Sequence, residues 1–149
     1  MKVHELLEHH ISDLNLCPGA ATYAQWKTKP WLEAVVYNKT IPIFPMRPIR
    51  DALSIHDIHH ILTGYETTLK GEAELAAWEL ASGGCHLNII FWVDRISFVF
   101  IGLVTHPRAT LRAVKSGFQY RNLFRFPMRV LEHRDVDSIK NQILKRNDR

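Results

Sequence analysis

Apolar residues recur along this chain with a helical period, and the places where the period lapses are marked by Gly or Pro. "VHELLEHHISDL" (residues 3–14) puts Val3, Leu6, Leu7, Ile11 and Leu14 in that pattern before "CPG" interrupts it, which predicts a helix. "WLEAVVYN" is too short for periodicity to choose between strand and helix. In "IPIFPMRP" the prolines at 42, 45 and 48 preclude a central strand and predict an extended lead-in. Pro48 suits the first turn of a helix running to about Leu62, with Gly64 as its stop. A second helix is expected over "LKGEAELAAWELA", ended by Gly83-Gly84, and a third over the apolar residues 86–104. "HPRA" breaks the pattern. Ala109 to about Glu132 then reads as helix with a kink at Pro127, and a last amphipathic helix carries Ile139 and Leu144. No two strands have a hairpin turn between them. The expected fold is all-α: one domain over 1–149, a helical bundle with a central antiparallel helix hairpin.

The stretch "HLNIIFWVDRISFVFIGLV" approaches the length of a membrane span, but Asp94 and Arg95 sit at its centre. Each would cost roughly 2.5–3.5 kcal/mol at mid-bilayer, so it reads as a buried or membrane-facing helix and not a span. Composition changes this picture little: 46% apolar and 23% charged residues are those of a globular protein. Cys17 and Cys85 lack paired spacing, which fits a reducing compartment and no disulfide framework. "MKVHELLEHH" shows no targeting segment, so the expected location is cytoplasmic or peripheral on the inner face of a membrane. The net charge of +4 permits an anionic partner and selects none.

The chemistry concentrates in "IHDIHHILTGYETTLKGEAELAAWE", residues 55–79. With His56 as origin and 100° per residue, His60 lies at about 40° and Asp57 at about 100°. Ile55, Ile58, Ile61 and Leu62 cover much of the remaining circumference, and a helix apolar nearly all round is buried. An unpartnered imidazole or carboxylate there is costly. On the next helix Leu69, Ala73, Ala76 and Leu80 form the apolar stripe; Glu72 lies at its edge and Glu74 points away. In an antiparallel hairpin centred on Glu66, His60 and Glu72 are equidistant from the turn and therefore opposed. Two imidazoles and two carboxylates converging in a low-dielectric setting are expected to form a divalent metal site, with zinc as the ion and His56, Asp57, His60 and Glu72 as ligands. His59, at about −60°, is the alternative to Asp57 and reads better as a residue supporting the ligands. Four protein ligands would leave a zinc ion an open position only if one carboxylate binds weakly.

His56-Asp57-x-x-His60, eleven residues, then Glu72 resembles the signature of the Coq4 family of coenzyme Q biosynthesis proteins. "HDIHHILTG" and "KGEAELAAWE" are similar to that family's surrounding stretch, and Gly117, Leu131-Glu132 and "SIKNQIL" carry a weaker likeness toward the C-terminus. The resemblance implies an all-α fold and a divalent metal on His56, Asp57, His60 and Glu72. It also implies a polyprenylated benzenoid substrate at the membrane surface. The chemistry it implies is removal of the ring carboxylate at C1 coupled to hydroxylation of that carbon, within a quinone-biosynthesis enzyme complex. A scaffold role, presenting the isoprenoid lipid to other enzymes, is implied as well. The chain departs from the family at Leu53-Ser54, where an arginine and an acidic residue are common, and from Cys85 to Pro107.

A prenyl tail needs apolar surface, and Phe91, Trp92, Phe98 and Phe100 are expected to supply it. "RAVKSGFQYRNLFRFPMR" interleaves basic residues with Phe118 and Phe124, a pattern suited to anionic lipid or, less well without a recognisable nucleic-acid fold, to single strands. No nucleic-acid partner is expected. A homodimer is reasonable for a helical protein with spare apolar surface. The rival enzyme class is an HD-type phosphohydrolase, which would need His9 or His10 and Asp94 as further ligands. In a metzincin-like protease Asp57 would stand where the Glu base belongs.

Overall fold

The computed structural model describes residues 1–14, 22–86 and 89–143. The chain is predominantly helical, in the order α1 (Val3–Leu14), α2 (Tyr23–Thr28), β1 (Trp31–Val36), β2 (Lys39–Pro45), α3 (Arg50–Thr63), α4 (Leu69–Ala81), α5 (Ile89–Thr105), α6 (Pro107–Gly117), α7 (Met128–Leu131) and α8 (Val136–Ile143). The all-α bundle expected from periodicity is therefore present, with one addition.

That addition corrects the reading of residues 31–45. They form an antiparallel ribbon, closed by Tyr37 and Asn38 at φ 48° and 60°. Positive φ at both central residues is the two-residue turn whose twist matches a hairpin. The prolines are tolerated because a two-stranded sheet has only edges, and the register shifts beside the Glu33–Pro42 pair, where a ladder donor is missing.

α3 ends as expected on Gly64, which is left-handed at φ 75° and donates its N–H to the His60 carbonyl. Thr68 caps α4 by accepting from the Gly71 N–H at 3.2 Å. α4 is thin on its packed side, with Ala73, Ala76 and Ala77 all buried, so α5 and α6 approach it closely. Gly102 of α5 marks the crossing. A Cβ there would lie 2.5 Å from the Thr110 hydroxyl of α6 and 2.6 Å from the Ala73 methyl of α4.

A helix from Ala109 to Glu132 does not form. α6 follows α5 after one residue, His106, with Pro107 at its first position, and stops at Gly117; residues 118–127 are irregular, and α7 is a single turn. The reason is tertiary. Asn122, Leu123 and Phe124 are drawn into the core, and the Asn122 amide donates to the carbonyls of Glu79 (3.0 Å) and Gly84 (2.9 Å). The Leu123 N–H donates to His59 instead of to its own chain's ladder. The principal core joins Val3 and Leu7 of α1, Ile55 and Ile58 of α3, Leu123 and Phe124, and Ile139 of α8. Leu144 and the "CPG" segment lie outside the described residues.

Candidate metal centre

The return of the chain from α3 to α4 brings His60 and Glu72 together beside the turn, with His60 Nε2 3.0 Å from Glu72 Oε1. His56, one turn earlier, places its Nε2 3.2 Å from Glu72 Oε2 and 3.1 Å from His60 Nε2. One ligand atom from each of His56, His60 and Glu72 falls within 4.8 Å of the others. Ligand atoms around a tetrahedral zinc with bonds of 2.0–2.1 Å are separated by about 3.3 Å, so the three side chains are already close to ligating spacing.

The partners behind the two rings decide what the facing atoms are. His60 Nδ1 lies 2.8 Å from the Tyr65 carbonyl oxygen, which can only accept, so that nitrogen carries the proton and donates. His56 Nδ1 likewise donates to Glu79 Oε1 at 3.0 Å. Neutral rings held in this way turn an Nε2 lone pair toward Glu72 and toward each other. Three acceptors converging on one point are stable only around a cation or a proton. The donor set fits a divalent metal, and the coarser expectation, that this group could hold an ion, is met by the geometry.

In the metal-free arrangement the proton is on His56. Burial, the largest influence, disfavours its charged form, but Glu79 nearby and the hydrogen bonds to Glu72 and Glu79 outweigh burial and the opposing Arg95. The imidazolium is pushed up to about 9. Burial raises the carboxyls of Glu72 and Glu79, yet the hydrogen bonds and charge of the histidines hold both well below the usual carboxylate range.

Asp57 is not among the three converging residues. It is buried on the neighbouring side of α3, where desolvation pushes its carboxyl up to about 6 against the pull of His56 and His60. The 100° step between adjacent helical residues separates it from His56, so the ligand set gathered here is two histidines and one glutamate. His59 lies behind the cluster, joined to it through Glu79. It is wholly buried, donates from Nδ1 to Glu79 Oε1 at 2.7 Å and accepts the Leu123 N–H at Nε2, 2.9 Å away. Trp78 and Phe124 clamp its ring edge-on at 5.3 and 4.9 Å, and burial lowers its basicity.

Two residues of the site escaped detection from sequence. Glu79, 1% exposed, accepts from both His56 and His59 through Oε1. Its spacing of seven from Glu72 puts it on the same helical face, which was the available signal. Arg95 is the other. Its Nη1 stands 3.1 and 3.2 Å from the two ring nitrogens of His56, 3.7 Å from Glu72 and 3.6 Å from Glu79. Its guanidinium lies over the rings of Phe91 and Phe98 and pairs with Asp94. A charge inside an otherwise apolar helix was the signal here.

Of the six aromatic residues expected to face lipid, Phe100 and Phe118 are exposed. Phe91 and Phe124 are core residues, packed on each other with centroids 5.1 Å apart, and that correction has one cause: each also walls a site histidine. Trp92 is partly buried and donates its indole N–H to the Cys85 carbonyl. Phe98 is half-buried beneath Arg95. Among the described residues no helix is long and apolar enough to cross a membrane. Comparison with protein families, with curated proteins and with solved structures finds no match to this chain.

Proposed function

We propose that this chain is a Coq4-like metal protein of ubiquinone biosynthesis. In this reading it acts on a polyprenylated benzenoid at a membrane surface, replacing the C1 carboxylate by hydroxyl. The observation that carries the reading is the convergence of the His56 and His60 lone pairs with the Glu72 carboxylate, backed by Glu79 and Tyr65. Two His and one Glu are a catalytic zinc ligand set that leaves a coordination position open, and with Asp57 outside it the site need not be closed. A bound zinc ion would supply Lewis acidity toward a carboxylate or phenolate oxygen. The chain's own residues would orient the ring: Phe91 and Phe98 bracket Arg95 next to the ligands, and Glu79 keeps the His56 lone pair aimed outward from its own face. Replacing carboxylate by hydroxyl releases carbon dioxide and consumes an oxidant and two electrons, which dioxygen and a partner reductase in a biosynthetic complex would provide.

Peripheral membrane contact is supported by α5, where Ile89, Val93, Ile96, Phe100 and Val104 are exposed along one side. The same surface favours the second reading, a non-catalytic scaffold for isoprenoid lipid with a structural metal. Among the described residues the geometry does not favour a phosphohydrolase: Asp94 is paired with Arg95, and Asp57 stays apart from the ligands.

Elemental analysis of the purified protein beside His60→Ala and Glu72→Ala tests the site. Near-stoichiometric zinc in the wild type and its loss in both variants is expected; zinc absent from the reconstituted wild type would sink the reading. Carbon dioxide release from a prenylated hydroxybenzoate, with and without partner enzymes, then separates enzyme from scaffold.

A further inference from the structure

Arg95 brings a permanent positive charge to a cluster whose donor set suits a cation, and the two ends of its guanidinium have different partners. Nε and Nη2 pair with Asp94, the former at 2.9 Å, on the outward side, where the Asp94 side chain is 47% exposed. Nη1 points inward. It lies 3.1 and 3.2 Å from Nδ1 and Nε2 of His56, 3.7 Å from Glu72 Oε2 and 3.6 Å from Glu79 Oε2. Arg95 is buried, and the rings of Phe91 and Phe98 lie against its guanidinium.

His56 Nδ1 donates to Glu79 Oε1, so the acceptor of the neutral ring is Nε2. Nη1 therefore reaches for the lone pair that a metal ion would use. It also sets a positive charge beside the site, and such a charge repels a divalent ion about twice as strongly as it repels a proton in the same place. Both effects oppose the metal. A second place for Nη1 lies close by. Among the described residues Glu79 Oε2 is buried with no hydrogen-bond partner, a costly condition for a carboxylate oxygen. A shift of about 1 Å would bring Nη1 from its present 3.6 Å to the roughly 2.7–2.9 Å of a charge-assisted hydrogen bond. Over so short a move the pair with Asp94 can be kept.

We infer that Arg95 is an internal competitor of the metal with two positions: Nη1 on His56 Nε2 when the ion is out, and on Glu79 Oε2 when the ion is in. The inference rests on the metal-centre reading and makes Arg95 the residue that sets the affinity of that centre. Zinc must displace a guanidinium that the chain itself supplies. It is therefore held less tightly than two histidines and a glutamate alone would hold it, and it exchanges. The same move gives the stranded Glu79 oxygen its partner, which accounts for a carboxylate placed behind His56 with one oxygen unused.

The test is competition titration of zinc against a chromogenic chelator for the full-length wild type, Arg95→Gln and Arg95→Lys. Arg95→Gln is expected to bind zinc about tenfold or more tighter than the wild type, whereas loss of a residue that merely held the site in shape would weaken binding. Arg95→Lys keeps the charge but loses the fork that spans Asp94 and His56, and is expected to fall between the two. Zinc should also raise the thermal unfolding midpoint of Arg95→Gln by more than that of the wild type. In the wild type the Arg95 Nε–H resonance should shift in step with zinc saturation. Unchanged or weaker zinc binding by Arg95→Gln, or an Arg95 resonance unmoved by zinc, would overturn the inference. If Arg95→Gln fails to fold by circular dichroism, Arg95→Lys decides it: tighter binding than the wild type supports the competitor, and equal or weaker binding removes it. Zinc held by the wild type and no tighter by the variants defeats this inference alone; zinc held by none of the three defeats the metal centre and this inference with it.

Discussion

The Nε2 atoms of His56 and His60 stand 3.1 Å apart, and both face Glu72. Two imidazoles meeting nitrogen to nitrogen in a core is unfavourable unless something positive lies between them, because at least one of the two must otherwise present an unpaired lone pair. Their Nδ1 atoms are engaged from behind, by Glu79 and by the Tyr65 carbonyl. Those partners, more than the histidines themselves, turn a polar cluster into a ligand set.

Glu79 is the first place to test that. Glu79→Gln keeps the side chain's size and removes its charge, and metal affinity is expected to fall about 10–100-fold, the usual cost of losing a ligand's supporting carboxylate. Glu74→Gln, which pairs with Lys70 instead of a histidine, should leave zinc affinity unchanged. Competition titration of zinc against a chromogenic chelator reads both, and equal affinities would refute the positioning role.

Proton and metal compete at His56, whose imidazolium persists to about 9. Zinc affinity should therefore climb as pH rises from 6.5 toward 9 and then level off. A flat profile over that range would place the metal elsewhere.

Stability of the metal-free protein should show a maximum. The raised value of His56 gives a contribution fully present below the usual 6.5 and lost as pH rises through about 9. The depressed carboxyls of Glu72 and Glu79 contribute above the usual 4.5 and lose that contribution as pH falls below it. Asp57, raised to about 6, opposes them: its neutral form is favoured, and its contribution is lost between 3.8 and 6. Urea unfolding in chelator across pH 4 to 9 should peak between about pH 5 and 6.5, with a flatter acid limb in Glu79→Gln.

Gly102→Ala tests the crossing of α4, α5 and α6, because the added methyl would meet Thr110 and Ala73 at 2.5 and 2.6 Å. A loss of about 1–3 kcal/mol is expected from overpacking, with partial recovery when Ala73→Gly is added. Thermal unfolding without a change of midpoint would show that the helices part freely.

Ile96 and Phe100, 54% and 68% exposed, lie on the apolar side of α5. Ile96→Ser with Phe100→Ser should lower co-sedimentation with phosphatidylglycerol-containing vesicles several-fold while zinc content stays the same. Undiminished sedimentation would move any membrane contact off this helix.

The local periods of the sequence determined the helices over 3–14, 50–63, 69–81 and 89–105, because an apolar face and its Gly or Pro stops are properties of neighbouring residues. They also determined that His60 and Glu72 face each other, since a short turn leaves two helices little choice of register. Three features were decided only by tertiary structure. Asp57, a helical step from His56, is left out of the ligand group because α4 places Glu72 against the His56–His60 face and not against the face that carries Asp57. Leu123 leaves the helical ladder because a wholly buried His59 nitrogen needs its N–H. Arg95 reaches the site from α5, across a sequence gap that no period spans, and it stays there because the buried Glu79, the partly buried Glu72 and two aromatic rings offset the cost of burying its charge.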